Sequence, residues 1–150
     1  MRRKMPIFRK GTEEDIPYIA ELEAKTFSDA WTLQGVRETF EQSHAFITVA
    51  EVDDKIVGYC IIYYVMDEAE IARIATSKTV RRTGIGNGLL HYTCECCRDK
   101  QIACLLLDVR ESNEGAIAFY RNYGFQTDGT RKNFYDTPKE DAVLMSMNLA

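Results

Sequence analysis

Apolar and polar positions along the chain alternate in blocks that predict strands and helices in turn. Residues 6–10 read as a short first strand. Thr12 or Asp15 then caps a helix whose acidic first turn suits the helix dipole. Ile16, Ile19, Ala20, Glu23 and Phe27 keep helical spacing, with Glu23 the one polar break. Pro17 is tolerated only near a helix start, which supports that boundary. After a loop at 28–31, Leu33, Val36 and Phe40 mark one face of a second helix. Residues 46–52 alternate weakly, Asp53 and Asp54 form a turn, and 56–65 are apolar on both faces. A strand without a polar face belongs in the middle of a covered sheet. A fourth strand at 70–76 leads into a polar, glycine-containing turn. Helical spacing resumes over 84–100, with Ile85, Gly88, Leu89, Tyr92 and Cys96 on one side. Residues 102–109 predict another central strand, and Asn113 caps a short helix that ends at Gly124, a good left-handed stop. Segments 125–131 and 142–148 then pair as antiparallel strands, leaving Phe134 and Tyr135 in the polar connection between them.

The resulting order is strand, two helices, three strands, helix, strand, helix, two strands. That is a mixed α/β (α+β) fold: one central mixed sheet of about seven strands, with about four helices on both faces, and not a doubly wound one. No repeat or linker interrupts it, so 1–150 reads as a single domain. A chain of 150 residues is long enough to bury its own core without staples.

Composition narrows the function classes. A net charge of −4 argues against a general nucleic-acid binder, which carries a basic footprint. The basic cluster Arg2, Arg3, Lys4 is too short to change this. The longest apolar stretch, 56–66, falls short of the roughly 20 residues that cross a bilayer. Residues 1–10 lack the apolar core of a secretory signal. Five cysteines without an export signal then point to reduced thiols and a cytoplasmic location. Cys94, Cys96 and Cys97 resemble metal ligands at first. They fall in a helical pattern, no second pair follows at zinc spacing, and His91 has no partner histidine, so no metal site is expected.

The chemistry concentrates in Arg81-Arg82-Thr83-Gly84-Ile85-Gly86-Asn87-Gly88. A strand enters this run and a long helix leaves it. Glycines let backbone N–H groups converge at the helix N-terminus, where the dipole favours an anion. Arg81 and Arg82 add charge-assisted donors for phosphate. The plainer alternative is a turn with two solvated arginines. A P-loop is excluded because no Lys-Ser or Lys-Thr follows the glycines, and the dinucleotide fingerprint fails on glycine spacing.

Arg81-x-x-Gly84-x-Gly86 after the strand at 71–76 resembles the acetyl-CoA signature of the GCN5-related N-acetyltransferase (GNAT) superfamily. So does the later order of buried strand, Asn113, a helix bearing Tyr120, and Tyr123-Gly124-Phe125. The run from Leu107 through Asp108, Val109 and Arg110 to Asn113 is similar to the superfamily's RimI branch, which acetylates the N-terminal alanine of a small-subunit ribosomal protein. So are Phe27 with Trp31-Thr32, Asp67-Glu68-Ala69 and Arg131-Lys132-Asn133-Phe134-Tyr135. The resemblance covers nearly the whole chain.

The resemblance implies that acetyl-CoA is the cosubstrate and a protein N-terminus the partner. It implies that Ile74, Ala75 and Thr76 offer backbone groups to the pantetheine arm. Arg82, Thr83, Gly84, Ile85, Gly86 and Asn87, beside Arg81, would cradle the pyrophosphate, and Asn113 would hold the pantetheine. Tyr120 would protonate the departing thiolate; otherwise it is a core aromatic on the helical face of Ala116, Ile117 and Tyr123. Phe134 and Tyr135, facing Trp31, would wall a peptide cleft, or else cover a core edge.

One position departs from the pattern. The RimI branch carries a glutamate base where this chain has Asp108, which retracts the carboxylate by about 1.5 Å. A bridging water is then favoured over direct contact. Glu70, where histone-acetylating members place their base, is the second candidate; as an ordinary strand residue it would simply face solvent. The amine acetylated matters here. Deprotonating lysine near neutrality costs roughly 4–5 kcal/mol and an α-amine only about 1, so a water-mediated aspartate suits an N-terminal substrate. A small-molecule amine acetyltransferase of the same fold and a non-turning-over acetyl-CoA-binding module are the competing expectations.

Overall fold

A computed structural model describes residues 5–81 and 83–150. Its strands form one seven-stranded sheet in the order β1-β2-β3-β4-β5-β7-β6. The strands are β1 (Ile7–Lys10), β2 (Ala45–Val52), β3 (Lys55–Val65), β4 (Glu68–Thr76), β5 (Cys104–Arg110), β6 (Gln126–Asp136) and β7 (Lys139–Asn148). The helices are α1 (Ile16–Thr26), α2 (Leu33–Glu41), α3 (Ile85–Asp99) and α4 (Glu114–Tyr123). All neighbours pair antiparallel except β4 and β5, which run parallel. The mixed sheet of the sequence reading is present, with helices on both faces.

Each face carries its own core. On one side Ile16, Ile19 and Val36 of α1 and α2 pack on Val49, Tyr59 and Ile61. On the other, Leu89, Leu90 and Cys94 of α3 and Tyr120 of α4 pack on Cys60, Ile62, Leu105 and Leu107. β3 supplies both clusters, which is why its sequence shows no polar face. Cys94, Cys96 and Cys97 are buried in α3 as small apolar groups, and burial pushes their thiols up, Cys97 to about 12. None of the described helices is long and apolar enough to cross a membrane.

Two boundaries differ from expectation. Asp15 is the N-cap residue of α1, without a side-chain cap bond, and Thr12 does not compete with it. They close a capping box around a 3-10 turn, Glu13–Asp15, and α1 starts one residue later with Pro17 in its first turn. At the C-terminal end, β6 and β7 extend past 131 and start before 142, so Phe134 and Tyr135 lie within β6 rather than in a connection. The register shifts between Arg131 and Tyr135, and Asn133 has φ 53°. Residues 126–136 are almost all exposed, so this ribbon carries no apolar alternation to read.

Glycine separates into two uses in α3. A Cβ on Gly88 would sit 2.3 Å from Phe8 Cζ, so Gly88 lets α3 approach β1. A Cβ on Gly86 would meet nothing closer than 3.5 Å, so packing alone does not require glycine there.

Candidate active site

The site originates in how β4 and β5 part. They pair only through Glu68–Cys104, Ala69–Leu105 and Glu70–Leu106. Just beyond, Ala72 is skipped in the register with β3, since Ile71 pairs with Ile62 and Arg73 with Ile61. A bulge bends and twists its strand, and here β4 turns away from β5. The edge of β4 from 71 to 76 is thereby left without a strand partner among the described residues. Side chains from both strands line the gap.

That gap is one elongated cleft in two connected parts. The smaller part, about 250 Å³, is lined by Arg73, Asp108, Arg110 and Tyr135, with Phe27 and Asp29 from the α1–α2 loop. The other part, about 580 Å³, runs along Ile74, Ala75 and Thr76 to Arg81 and Gly86. Phe27, Ile74, Asn113, Ala116 and Tyr120 belong to both. Tyr120 therefore stands at the junction.

At the far end, Gly84 adopts φ 85° as the N-cap of α3, a left-handed conformation that glycine takes without Cβ strain. The first helical bond after it runs from Gly88 N to Gly84 O. The N–H groups of Ile85, Gly86 and Asn87 precede that bond at the helix N-terminus, where Gly86 lines the cleft and the helix dipole favours an anion. Ile85 contributes backbone alone, because its side chain is buried in the α3-side core. Arg81 is exposed and lines the cleft. Thr83 is tied down by its hydroxyl, which donates to the Val80 carbonyl. Arg82 lies outside the described residues. Asn113 spends its Oδ1 on the α4 N-cap, accepting from Ala116 N at 3.1 Å, which leaves its amide N–H groups available to a ligand.

These features fit a long ligand with an anionic end and an amide-bearing arm. The arm can lie along the open β4 edge as an added strand would. The absence of a side chain at Gly86 leaves space against Phe119 and Thr76 that packing does not fill.

Tyr120 is 7% exposed and packs edge-on against Phe119 and Phe125. Burial pushes its phenol well above the ordinary value, so it stays protonated and can donate into the cleft. Its ring belongs to the core, and it also lines the junction of the two parts.

The two candidate bases share a sheet face. In β5, Leu105, Leu107 and Val109 enter the α3-side core, and Asp108 alternates to the opposite face, in the cleft. Glu70 is exposed, pairs opposite Leu106, two residues before Asp108, and lines a separate hollow with Tyr63 and Leu106. Partial loss of water, then the Asp108 charge, raises the Glu70 pKa, and Arg131 partly offsets this. Tyr135 is raised by burial and by the same aspartate.

Of the expected peptide walls, Tyr135 lines the cleft, stacked 4.2 Å from the Arg110 guanidinium. Phe134 is 39% exposed and meets Tyr135 edge-on without lining the cleft. Trp31 is also absent from the lining and packs instead against the core under α1 and α2. Phe27 occupies the place expected of it. Arg73 and Glu23 were not singled out as site residues; the signal for Glu23 was its polar side chain on an apolar helical stripe.

Residues 16–125 match the acetyltransferase (GNAT) family. The chain belongs to that family. Acetyl-CoA is the cosubstrate of GNAT acetyltransferases. The chain is 29% identical to the ribosomal protein bS18-alanine N-acetyltransferase of Salmonella typhimurium, over 91% of this chain and 93% of that one. A Bacillus subtilis relative, 38% identical over 88% of each chain, carries the same name in provisional form. The crystal structure of the Escherichia coli ribosomal-protein-S18-alanine N-acetyltransferase superposes with a TM-score of 0.89 at 26% identity, covering 97% of this chain and 95% of that one. Like that structure, the GNAT sheet here is mixed and seven-stranded.

Proposed function

We propose that the protein transfers the acetyl group of acetyl-CoA to the α-amine of a protein N-terminus, the N-terminal alanine of small-subunit ribosomal protein bS18. The observation that carries the reading is the junction: an open strand edge and helix N-terminus on one side of Tyr120, and on the other a short acceptor cleft of about 250 Å³ that holds Asp108. The names of the relatives support the same substrate.

In this reading the neutral amine attacks the thioester carbonyl, a C–N bond forms, and the C–S bond breaks. Tyr120 gives its proton to the leaving sulfur. The proton released by the nitrogen passes through water to the Glu70–Asp108 pair, of which Asp108 lines the cleft and Glu70 the hollow beyond Leu106. Partial loss of water and the nearby Asp108 charge raise the Glu70 pKa and favour its taking up that proton. An α-amine needs little help near neutrality. Arg81, the glycine loop and Asn113 hold the coenzyme, and Tyr135 flanks the peptide.

The test is acetylation of a peptide beginning with the bS18 alanine sequence, with the modified atom located by mass spectrometry. Acetyl on the α-amine, lost when that amine is blocked, is the expected result. Acetyl on internal lysines, or preference for polyamines over every peptide, overturns it. Gly86→Val should abolish coenzyme binding by calorimetry while leaving the circular dichroism spectrum unchanged.

A further inference from the structure

The α1–α2 loop forms one wall of the acceptor cleft, yet it contains no regular structure between Thr26 and Leu33. What holds it is a buried charge. Glu23 is fully buried in α1. It accepts from Trp31 N at 2.9 Å, from the Tyr59 hydroxyl, and from Arg73 Nε at 2.8 Å. Arg73 continues the chain of contacts. It donates to the Asp29 carbonyl at 3.1 Å and to Asp29 Oδ1 at 3.2 Å, and its guanidinium centre lies 3.9 Å from the centroid of the Phe27 ring.

Arg73 therefore touches three things at once: the buried Glu23, the loop backbone and the Phe27 face. It also lines the acceptor-side cleft, beside the bulge that parts β4 from β5. Burial works against its charge, but the bond to Glu23 and the charges of Glu23 and Asp29 outweigh that and keep it cationic. A planar, permanently charged fork stacked on an aromatic ring is a rigid spacer, in a way that lysine is not. The distance between the β4 floor and the Phe27 wall is fixed by that stack.

We propose that Arg73, held in place by the positioning residue Glu23, gauges the side chain of the acceptor's first residue and confines the enzyme to small ones. The proposal rests on the N-terminal acceptor reading above. In an acceptor cavity of about 250 Å³ that also receives the acyl end, the Arg73–Phe27 pair takes up the space a large side chain would need. Removing the guanidinium deepens the floor and releases Phe27. Removing the Glu23 charge leaves Arg73 free to swing out, with the Tyr59 and Trp31 contacts still available to a glutamine.

The experiment measures kcat/KM for two peptides that differ only in their first residue, alanine or leucine, with wild type, Arg73→Ala, Arg73→Lys and Glu23→Gln. A ratio taken within one preparation cancels any loss of folded enzyme. The alanine preference should fall at least tenfold in Arg73→Ala and by a smaller factor in Arg73→Lys and Glu23→Gln, with KM for acetyl-CoA unchanged in all. An unchanged ratio in Arg73→Ala overturns the gauge. A changed ratio there with an unchanged one in folded Glu23→Gln overturns the role of Glu23. Wild type that acetylates no peptide α-amine overturns the functional reading first, and the gauge with it.

Discussion

Two carboxylate sites lie against the same sheet, and their chemistry runs in opposite directions. At the start of α1, Asp15 is 6% exposed and receives Arg9 through two bonds, of 2.7 and 3.0 Å, plus Thr12 N at 2.7 Å. Burial alone would raise its pKa, but Arg9 and the Thr12 amide overcome that and hold it below the ordinary range. Glu70 is less deeply placed, yet its pKa moves up, because partial loss of water goes uncompensated and its neighbour Asp108 is also acidic. Opposite charges and full satisfaction mark the first site as structural. Like charges beside an open cleft suit the proton-accepting role proposed for the second, where a raised pKa favours taking up a proton.

Breaking each side should therefore give different symptoms. Tyr120 belongs to the chemical side, and Tyr120→Phe should carry the largest effect on rate. Turnover should drop about 10²–10⁴-fold, the range for a lost general acid, with little change in coenzyme affinity or melting temperature. Near-normal turnover in stopped thiol-release assays would leave Tyr120 with a packing role alone. On the structural side, Asp15→Asn should cost about 3 kcal/mol of stability in urea denaturation, the lower end for a broken buried pair because Arg9 is partly solvated. Activity per folded molecule should stay at wild type. A variant that kept its stability but lost its rate would erase the contrast.

How much of this contrast is legible in the sequence depends on whether apolar periodicity or tertiary geometry carries the information. Order and type of the elements follow from periodicity, because β3 and β5 are buried and α1 to α4 each bury one face. The end proposed for the coenzyme is also legible, since a left-handed Gly84 and an Asn113 cap are local needs. The acceptor end is not. Phe27 rather than Trp31 reaches the cleft because the Glu23 carboxylate draws the Trp31 backbone inward, a contact between residues eight apart and unrelated to helix spacing. The extension of β6 to Asp136 escapes because that ribbon is wet on both sides and its residues need no pattern. Glu70 and Asp108 are each candidate bases only through the family resemblance. That they form a pair requires the parallel register of β4 and β5, which no local signal encodes.

The pairing can be sharpened through pH. Asp108 raises Glu70, so Asp108→Asn removes a negative neighbour and lets Glu70 ionise at lower pH. The acidic limb of the kcat/KM profile for an α-amine peptide should then move toward acid, even if the plateau falls. A limb that stays fixed would mean that it reports some other group, and a limb moving toward alkali would contradict the repulsion itself.

The smallest expected effect is the most direct comparison of the two sites, because it concerns stability alone. Asp15 has a lowered pKa in the folded state, so its contribution is present at neutral pH and disappears as pH falls through the carboxylate range. Glu70 has the reverse sign. Its folded pKa is raised above the unfolded value, so the folded state holds a proton that the unfolded chain has already released. Stability from this group is therefore full in acid and declines as pH rises through the folded pKa. Replacing Glu70 by glutamine removes that decline. Glu70→Gln should melt above wild type near neutrality, and the gap should close below about pH 4, where the wild-type group is protonated in both states. Asp15→Asn should show the opposite pattern, losing most at neutral pH and least in acid. Melting curves of the two variants across that range should diverge from wild type in opposite directions; parallel shifts would show that Glu70, like Asp15, is held by the fold for stability.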